Sequence, residues 1–365
     1  MSDFVSVPLR RSLVAGFVFF AMVMSLGQAL AGDSGSSQGG GTVGVTVTNQ
    51  APVVTRFDIK DSVTNASLMG SQLDVRTTYW VWVTVFDENN WSDIKQLDVN
   101  FWNDGGVNPE KTYYQQIGGA NLRINLTYAN SGSNAPTTGQ WSLGEGNANF
   151  TSSSIGIYTI TANQRYGFKI PFELRSQIRQ ANDPVNSGTT GYDDLGSWNA
   201  QFVALDNGNN NVTQRANETS GVYYEFGVFK YTAIAFVNTW TGTAPVAPGA
   251  SVTTNTRTIS HVSNAPYKLS VYVTSTLSDG TDTIAVTNMI VTAAGDANDA
   301  ITTDTAFTGA GPVNAIYLLG SSSTTQAFDP TGNAETTGLQ FMVNVPLGTP
   351  AGTYTASIVV KVEQP

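Results

Sequence analysis

The sequence predicts an all-β protein built as two β-sandwiches in tandem, the first carrying a large loop insertion. Three observations predict it. Apolar residues recur at every second position in run after run. Clusters of Gly, Pro, Asn and Asp separate those runs. Composition agrees: only 12% of the 365 residues are charged, 41% are hydrophobic, and Gly alone contributes 36. That balance belongs to a folded, turn-rich chain, because a disordered one would be poorer in Val, Ile and aromatics.

Residues 1–31 read as a secretory signal. Arg10 and Arg11 supply the positive start, Ser12 to Leu30 holds the apolar core LVAGFVFFAMVM, and Ala29-Leu30-Ala31 fits the small-x-small cleavage rule. The competing reading is an uncleaved membrane anchor, since the apolar run approaches spanning length. Residues 32–42 (GDSGSSQGGGT) form a Gly/Ser-rich linker. Val43, Val45 and Val47 then alternate with small polar residues, which predicts a strand over Val43–Asn49. It is either the first strand of its own sandwich or a strand donated to a neighbouring subunit.

The first sandwich spans residues 43–216. VVTRFDI, TTYWVWVTVFD and IKQLDVNFW read as successive strands, with Tyr79, Val81, Val83 and Val85 in alternation. A Gly/Asn/Ser/Thr-rich stretch at about 103–163 breaks this rhythm. It has short strands of its own (LRINLTY, GIYTITA) and is expected to decorate one end of the sandwich. In Tyr166–Arg175 the apolar residues Phe168, Ile170, Phe172 and Leu174 repeat at period two, and Pro171 marks an edge strand. Trp198–Asp206 is expected to close this half before the Asn/Gly turn that follows it.

The second sandwich spans residues 221–365. YYEFGVFKYTAIAFVNTW, SVTTNTRTISHVSN, YKLSVYV, DTIAVTNMIVTA and IYLLG supply strands. The last element reads as a hairpin. Leu339, Phe341, Val343 and Val345 make one strand, Pro346, Gly348, Pro350 and Gly352 make the turn, and Tyr354, Ala356, Ile358, Val360 and Val362 make the return strand. No fixed repeat relates the halves, which disfavours a solenoid or propeller.

Several function classes fall away. The formal charge is −10, and removing Arg10, Arg11 and Asp3 makes it more negative still. Such a surface repels nucleic-acid phosphates and anionic headgroups and attracts divalent cations, so no nucleic acid is expected as a partner, and a membrane only if the signal segment is retained. With no Cys there are no disulfides, thiolate nucleophiles or Cys-ligated metals. One His, His261, cannot build a His-rich zinc site, and it is expected at the surface or a strand end. No G-x-S-x-G, phosphate-loop or H-E-x-x-H motif is present, and the acidic pairs Asp193/Asp194 and Asp296/Asp299 read as solvated loops. An enzyme is not expected. Six N-x-Ser/Thr sequons occur, at Asn65, Asn90, Asn125, Asn149, Asn211 and Asn217, no more than chance gives for this composition.

The sharpest constellation is Asp87-Glu88-Asn89-Asn90-Trp91-Ser92-Asp93, carboxylates and amides where one strand turns into the next. Hard oxygen ligands on a turn suit Ca2+, which predicts a calcium site at Asp87, Asn89 and Asp93 with Asp206 from a neighbouring turn. It is no EF-hand, because Trp91 takes the fifth position and Ser92 stands where the sharp turn needs Gly. The alternative is a solvated, self-capping Asx turn. Trp80 and Trp82 share a face of their strand opposite Val81 and Val83, and either set can face the core. Aromatics near the insertion, Trp91, Trp102, Tyr113 and Tyr114, are packing residues or a ligand platform.

The pattern APVVTRFDI…TYWVWVTVFDENNWSDIKQLDV resembles the immunoglobulin-like domains of archaeal secreted and surface-layer proteins. There a first strand after "APxV" is followed by "V-x-V-x-V-x-D-x-N-G-x-S-D-I". Asn90-Trp91 stands here where those have Asn-Gly, a departure that weakens what the resemblance implies about calcium. APVAPGASVTTNTRTISHVSNAPYKLSVYV and QFMVNVPLGTPAGTYTASIVV resemble a second such module. The resemblance implies two immunoglobulin-like sandwiches, export to the cell surface, and a structural subunit of the envelope (surface layer, sheath or filament) that forms homo-oligomers or polymers. A surface adhesin binding a glycan or envelope polymer is the alternative. Because no apolar tail or sorting motif closes the sequence, attachment is expected through partner subunits, the amino-terminal linker or a retained signal.

Overall fold

The computed structural model describes residues 44–103, 113–115, 119–181, 197–215, 224–295, 304–323, 325 and 335–364. The signal, the linker, Val43, Asn217 and the acidic pairs Asp193/Asp194 and Asp296/Asp299 lie outside the described residues. The chain divides into two units between Thr48 and Asn49. Of the first, residues 44–48 are described; they are exposed and belong to no strand, with Val45 at 76% and Val47 at 79% exposure. The strand expected over Val43–Asn49 is therefore not formed in the single chain. Alternation specifies which faces a strand would have, but the strand exists only once its backbone pairs with a ladder partner.

The second unit holds every strand described. Its first half comprises β1 (Val53–Asp61), β2 (Gln72–Leu73), β3 (Thr78–Phe86), β4 (Ile94–Trp102), β5 (Arg123–Ala129) and β6 (Trp141–Gly146). It continues through β7 (Ala148–Phe150), β8 (Gly156–Thr161), β9 (Arg165–Leu174), β10 (Trp198–Asp206), β11 (Asn211–Gln214) and β12 (Glu225–Val228). One sheet runs β1-β3-β9-β7 with β8 also on β9, and the other β2-β12-β10-β4-β5-β6 with β11 also on β10. Their inner faces enclose one core. Val81 and Val83 of β3 lie opposite Ile170 and Phe168 of β9, and these pack against Leu97, Val99 and Phe101 of β4 and Ile124, Leu126 and Tyr128 of β5. Each such side chain, fully buried, contributes about 1.5–3 kcal/mol.

Three expectations for this half need correction. The stretch at about 103–163 does not decorate one end. β5 and β6 extend one sheet beside β4, while β7 and β8 flank β9 in the other. Ile124, Leu126 and Tyr128 alternate inward, so this Gly-rich stretch supplies part of the core. β9 is not an edge strand either, because β3 pairs on one side and β7 and β8 on the other. Pro171 is tolerated because that second neighbour is interrupted opposite it: β7 reaches Phe172 through Phe150, and β8 begins at Gly156 against Lys169. Nor does β10 close this half, because β11 and β12 follow it in the chain and pair with it.

The second half comprises β13 (Thr232–Phe236), β14 (Ser251–Thr253), β15 (Arg257–Ser263), β16 (Lys268–Val273), β17 (Leu277–Ser278) and β18 (Thr283–Ile284). After these come β19 (Met289–Gly295), β20 (Thr305–Ala306), β21 (Ile316–Leu319), β22 (Glu335–Asn344) and β23 (Ile358–Glu363). One sheet runs β13-β15-β22-β19-β20 with β14 also on β22, and the facing sheet runs β21-β16-β23. β17 and β18 pair with each other. Between the two larger sheets Leu269, Val271, Leu339, Phe341 and Val360 belong to a second hydrophobic cluster that shares no member with the first. β12, which the sequence reading assigned to this half at residues 221 onward, pairs instead with β10 and β2, and Phe226 and Val228 belong to the first core.

The carboxy-terminal hairpin is also corrected. β22 pairs with β14, β15 and β19, whereas β23 pairs with β16 in the facing sheet. The Pro/Gly stretch between them is a crossing from one sheet to the other. Alternation marks each strand's inner face but carries no information about its partner. His261 departs from expectation too. It sits within β15 at 1% exposure, with Nε2 3.0 Å from Thr337 Oγ1 and Nδ1 2.9 Å from the Tyr267 hydroxyl, which also donates to Glu335.

Candidate functional site

The acidic turn lies where β3 leaves the sandwich and β4 re-enters. A 3-10 turn, Trp91–Asp93, reverses the chain, and Ile94 opens β4. Trp91 anchors it from inside. It is fully buried, its ring lies edge-on to Tyr128 and Tyr166 at 6.0 and 4.8 Å between centroids, and its Nε1 donates to the Tyr128 hydroxyl at 2.9 Å. A residue that looked misplaced for a metal loop is thus a core residue that fixes where the loop stands. The Asp87 amide donates to Gln164 O at 3.0 Å and holds the other end.

Asp87 is fully buried. Its Oδ1 accepts from the Asn89 amide at 2.8 Å, while its Oδ2 has no hydrogen-bond partner. Asp206, at the end of β10, is also fully buried, but its oxygens accept from the Asn210 amide at 2.7 Å, Asn210 Nδ2 at 2.9 Å and Asn49 Nδ2 at 3.0 Å. The two turns are stitched together by Asn207, whose amide donates to Asp93 O at 2.7 Å and whose Nδ2 donates to Ser92 O at 3.0 Å. Asp93 Oδ2 and Asn90 Oδ1 are buried without partners. Among the described residues none of these carboxylates forms an ion pair.

The electrostatics follow. Burial pushes the Asp87 carboxyl up to about 6, the Asn89 amide opposes it, and the negative charges of Asp93 and Asp206 add to the rise. Burial likewise raises Asp93, with the charge of Asp206 adding, while hydrogen bonds from Asn49 and Asn207 oppose the rise. The fold therefore brings Asp87, Asp93 and Asp206 within electrostatic reach of one another. Asn89 is turned elsewhere, its Oδ1 taking the Gln50 amide at 2.7 Å. Asn90, its neighbour, aims an oxygen inward that the sequence reading passed over. Asn90 also has a positive φ of 117°, a region in which Asn is enriched among non-glycine residues. Among the described residues no three His, Cys, Asp or Glu side chains stand at metal-binding spacing.

The aromatic candidates separate cleanly. Trp91 and Trp102 are fully buried, Tyr113 is buried, and Tyr114 is 71% exposed. On β3 the valines face the core, and Trp80 and Trp82 face outward. Cations lie over them: Lys169 Nζ is 4.6 Å from the Trp80 ring centroid and 5.0 Å from Trp82, with Lys60 at 5.4 Å and Arg56 at 5.0 Å over Trp82. The outer face of this sheet thus combines aromatic and cationic groups. In the other half, β20 and β21 end their sheets, and an open groove of about 490 Å³ lies between them, lined by Thr305, Ala306, Val313 and Tyr317 among others. It presents no carboxylate, amine or imidazole.

No family model matches the chain, and no curated protein matches it. Solved structures align only loosely. The C-terminal domain of the AgI/II polypeptide BspA from Streptococcus agalactiae shares 11% identity over 85% of this chain and 95% of that one, with a TM-score of 0.20. A chaperone–tip adhesion subunit complex of archaic chaperone-usher Csu pili from Acinetobacter baumannii gives 11% identity, 77% and 89% coverage, and a TM-score of 0.24. The C-terminal domain of the antigen I/II-family protein AspA from Streptococcus pyogenes gives 10%, 86%, 95% and 0.19. At these TM-scores the likeness carries no argument. All three sources are bacterial, and nothing in them points to an archaeal origin. Among the described residues no helix is long and apolar enough to cross a membrane.

Proposed function

We propose that the chain is an exported structural subunit of a cell envelope that assembles by strand-mediated contacts between copies. One observation carries the reading. Residues 44–48 continue a Val-x-Val-x-Val alternation, yet Val45 and Val47 are more than three-quarters exposed and form no strand in a single chain. An amphipathic strand without a ladder is suited to pair with an open sheet edge of the next copy, where backbone hydrogen bonds give affinity and alternate side chains give register. The signal reading of residues 1–31 supports export, and division into two folding domains at the β12–β13 join is part of the same proposal. Deleting Gly32–Thr48 tests it: assembly should be lost while the β-sheet circular dichroism of the body is kept. The deletion spares Asn49, which the body needs.

A second reading is favoured by the outward Trp80 and Trp82 with their covering cations. Such a face suits an anionic glycan or envelope polymer, with rings for stacking and Arg56, Lys60 and Lys169 for charge. Glycan-array binding that is lost in a Trp80→Ala/Trp82→Ala variant, by a chain that never assembles, would replace the first reading with this one.

A further inference from the structure

Given the assembly proposed above, on which this docking site rests, one sheet edge must receive the arm, and the second half offers one that fits. β20 ends one of its sheets and β21 ends the facing one, and among the described residues β21 pairs with β16 alone and β20 with β19 alone. The open groove of about 490 Å³ runs between these two ends. Its lining holds Ala306, Val313, Ile316 and Tyr317 beside small polar groups and no charged residue, in a chain whose formal charge is −10. Val313, on the 3-10 turn Pro312–Asn314 that leads into β21, is 89% exposed, and no large apolar side chain among the described residues is more exposed. Exposed valines scattered singly are ordinary, but one at the lip of a groove between two strand edges is placed for contact.

We propose that residues 43–48 of one copy add as a strand to the β21 edge of the next copy, seating their valines on Ala306, Val313 and Ile316. The arm and the groove match in charge. Residues 34–50 carry no ionisable side chain, so the arm enters an uncharged groove without stripping water from a charge. They match in pattern as well. Val43, Val45 and Val47 share one face of an extended arm, and Gly44, Thr46 and Thr48 share the other, so the apolar face can turn to the groove while the threonines stay in water. The four residues of β21, Ile316–Leu319, span about 13 Å at strand rise, enough to pair with four residues of the arm. Backbone pairing to β21 supplies the ladder that the arm lacks in a single chain, and an open edge of this kind is a template for it. The arm also leaves the body at a fixed point, because Asn49 is bonded to Asp206 and the Gln50 amide to Asn89 Oδ1 at 2.7 Å. Donor and acceptor are different surfaces of the chain. Such a heterologous contact repeats from copy to copy, as a filament or ring requires.

The test is disulfide capture in the mature chain, which has no cysteine of its own. The variant with Val45→Cys and Val313→Cys should, on oxidation, give a ladder of covalent oligomers in denaturing electrophoresis. A control with Val45→Cys and Val63→Cys, whose second site is 85% exposed in the first half, should give nothing beyond the dimer formed by Val45→Cys alone. Val313→Glu and Ala306→Glu, both at exposed positions, should disperse the assemblies in electron micrographs with unchanged far-ultraviolet circular dichroism. If the native chain assembles through its arm but the Val313→Cys pair gives no ladder, or the assemblies tolerate both glutamates, the groove is not the acceptor, although assembly itself stands. A monomer closed by a disulfide within one chain would mean that the arm fills its own groove, which overturns a second copy as the occupant. A native chain that stays dispersed overturns both the docking site and the assembly.

Discussion

Asn49 Nδ2 stands 3.0 Å from Asp206 Oδ2, so the first residue of the second unit is bonded to a carboxylate that has no solvent exposure. Asp206 has two other donors, both from Asn210. Asn49→Ala therefore removes one of three partners from a buried charge and should cost about 1.5–3 kcal/mol, the range for hydrogen bonds to ionised groups. Urea denaturation of both proteins measures it. A loss near zero would mean that water replaces the Asn49 amide without penalty.

The raised Asp87 carboxyl sets a pH dependence. Its unfolded value is 3.8 and its folded value about 6, so between those limits the folded chain binds the extra proton. Stability from this group is then greatest below pH 4 and falls as pH rises to about 6, by on the order of 3 kcal/mol. Thermal melts across that interval should show the decline, and Asp87→Asn should flatten it. A stability that rises through the same interval in the native chain but not in the variant would contradict the burial argument.

Trp91 ties the turn to the core. Trp91→Phe keeps a ring between Tyr128 and Tyr166 but removes the Nε1 donor to the Tyr128 hydroxyl, and about 1–3 kcal/mol should be lost. Trp91→Ala also opens a cavity and should cost about 3–5 kcal/mol. Equal losses for the two variants, read by chemical denaturation, would show that the hydrogen bond and not the ring volume matters.

Much of the fold was legible because period-two alternation is a local signal. That Val81 and Val83 share one face of β3, and Phe168 and Ile170 one face of β9, follows from spacing alone. Partner choice is not local, which is why Leu339–Val345 and Tyr354–Val362 read as a hairpin although their strands lie in facing sheets. The same gap hid the role of Ile124, Leu126 and Tyr128 in a stretch whose Gly and Asn suggested decoration. At the acidic turn, residue type picked out Asp87, Asp93 and Asp206, but not that the Gln50 amide takes Asn89 Oδ1 while Asn90 Oδ1 is left without a partner, which depends on a contact distant in sequence. His261 was misplaced for a related reason: a lone imidazole reads as a surface group until Tyr267 and Thr337 are seen to satisfy both nitrogens.

Asn264, fully buried just after β15, holds the segment between β12 and β13. Its Oδ1 accepts from the Tyr231 amide at 2.8 Å and its Nδ2 donates to Phe229 O at 2.8 Å. Asn264→Ala leaves both backbone groups unpaired and should cost about 2–3 kcal/mol. Because the two cores share no residue, calorimetry of this variant should resolve two transitions where the native chain shows one or a closer pair. A single transition at unchanged temperature would mean that the join lies elsewhere.

The proposed function depends on assembly of copies through the alternating arm that ends at Thr48. Negative-stain electron microscopy of the purified mature chain, beside the same chain lacking Gly32–Thr48, tests it most directly. Ordered filaments or arrays are expected from the first and dispersed, folded particles from the second. Dispersed monomers from both, or identical assemblies from both, would contradict it.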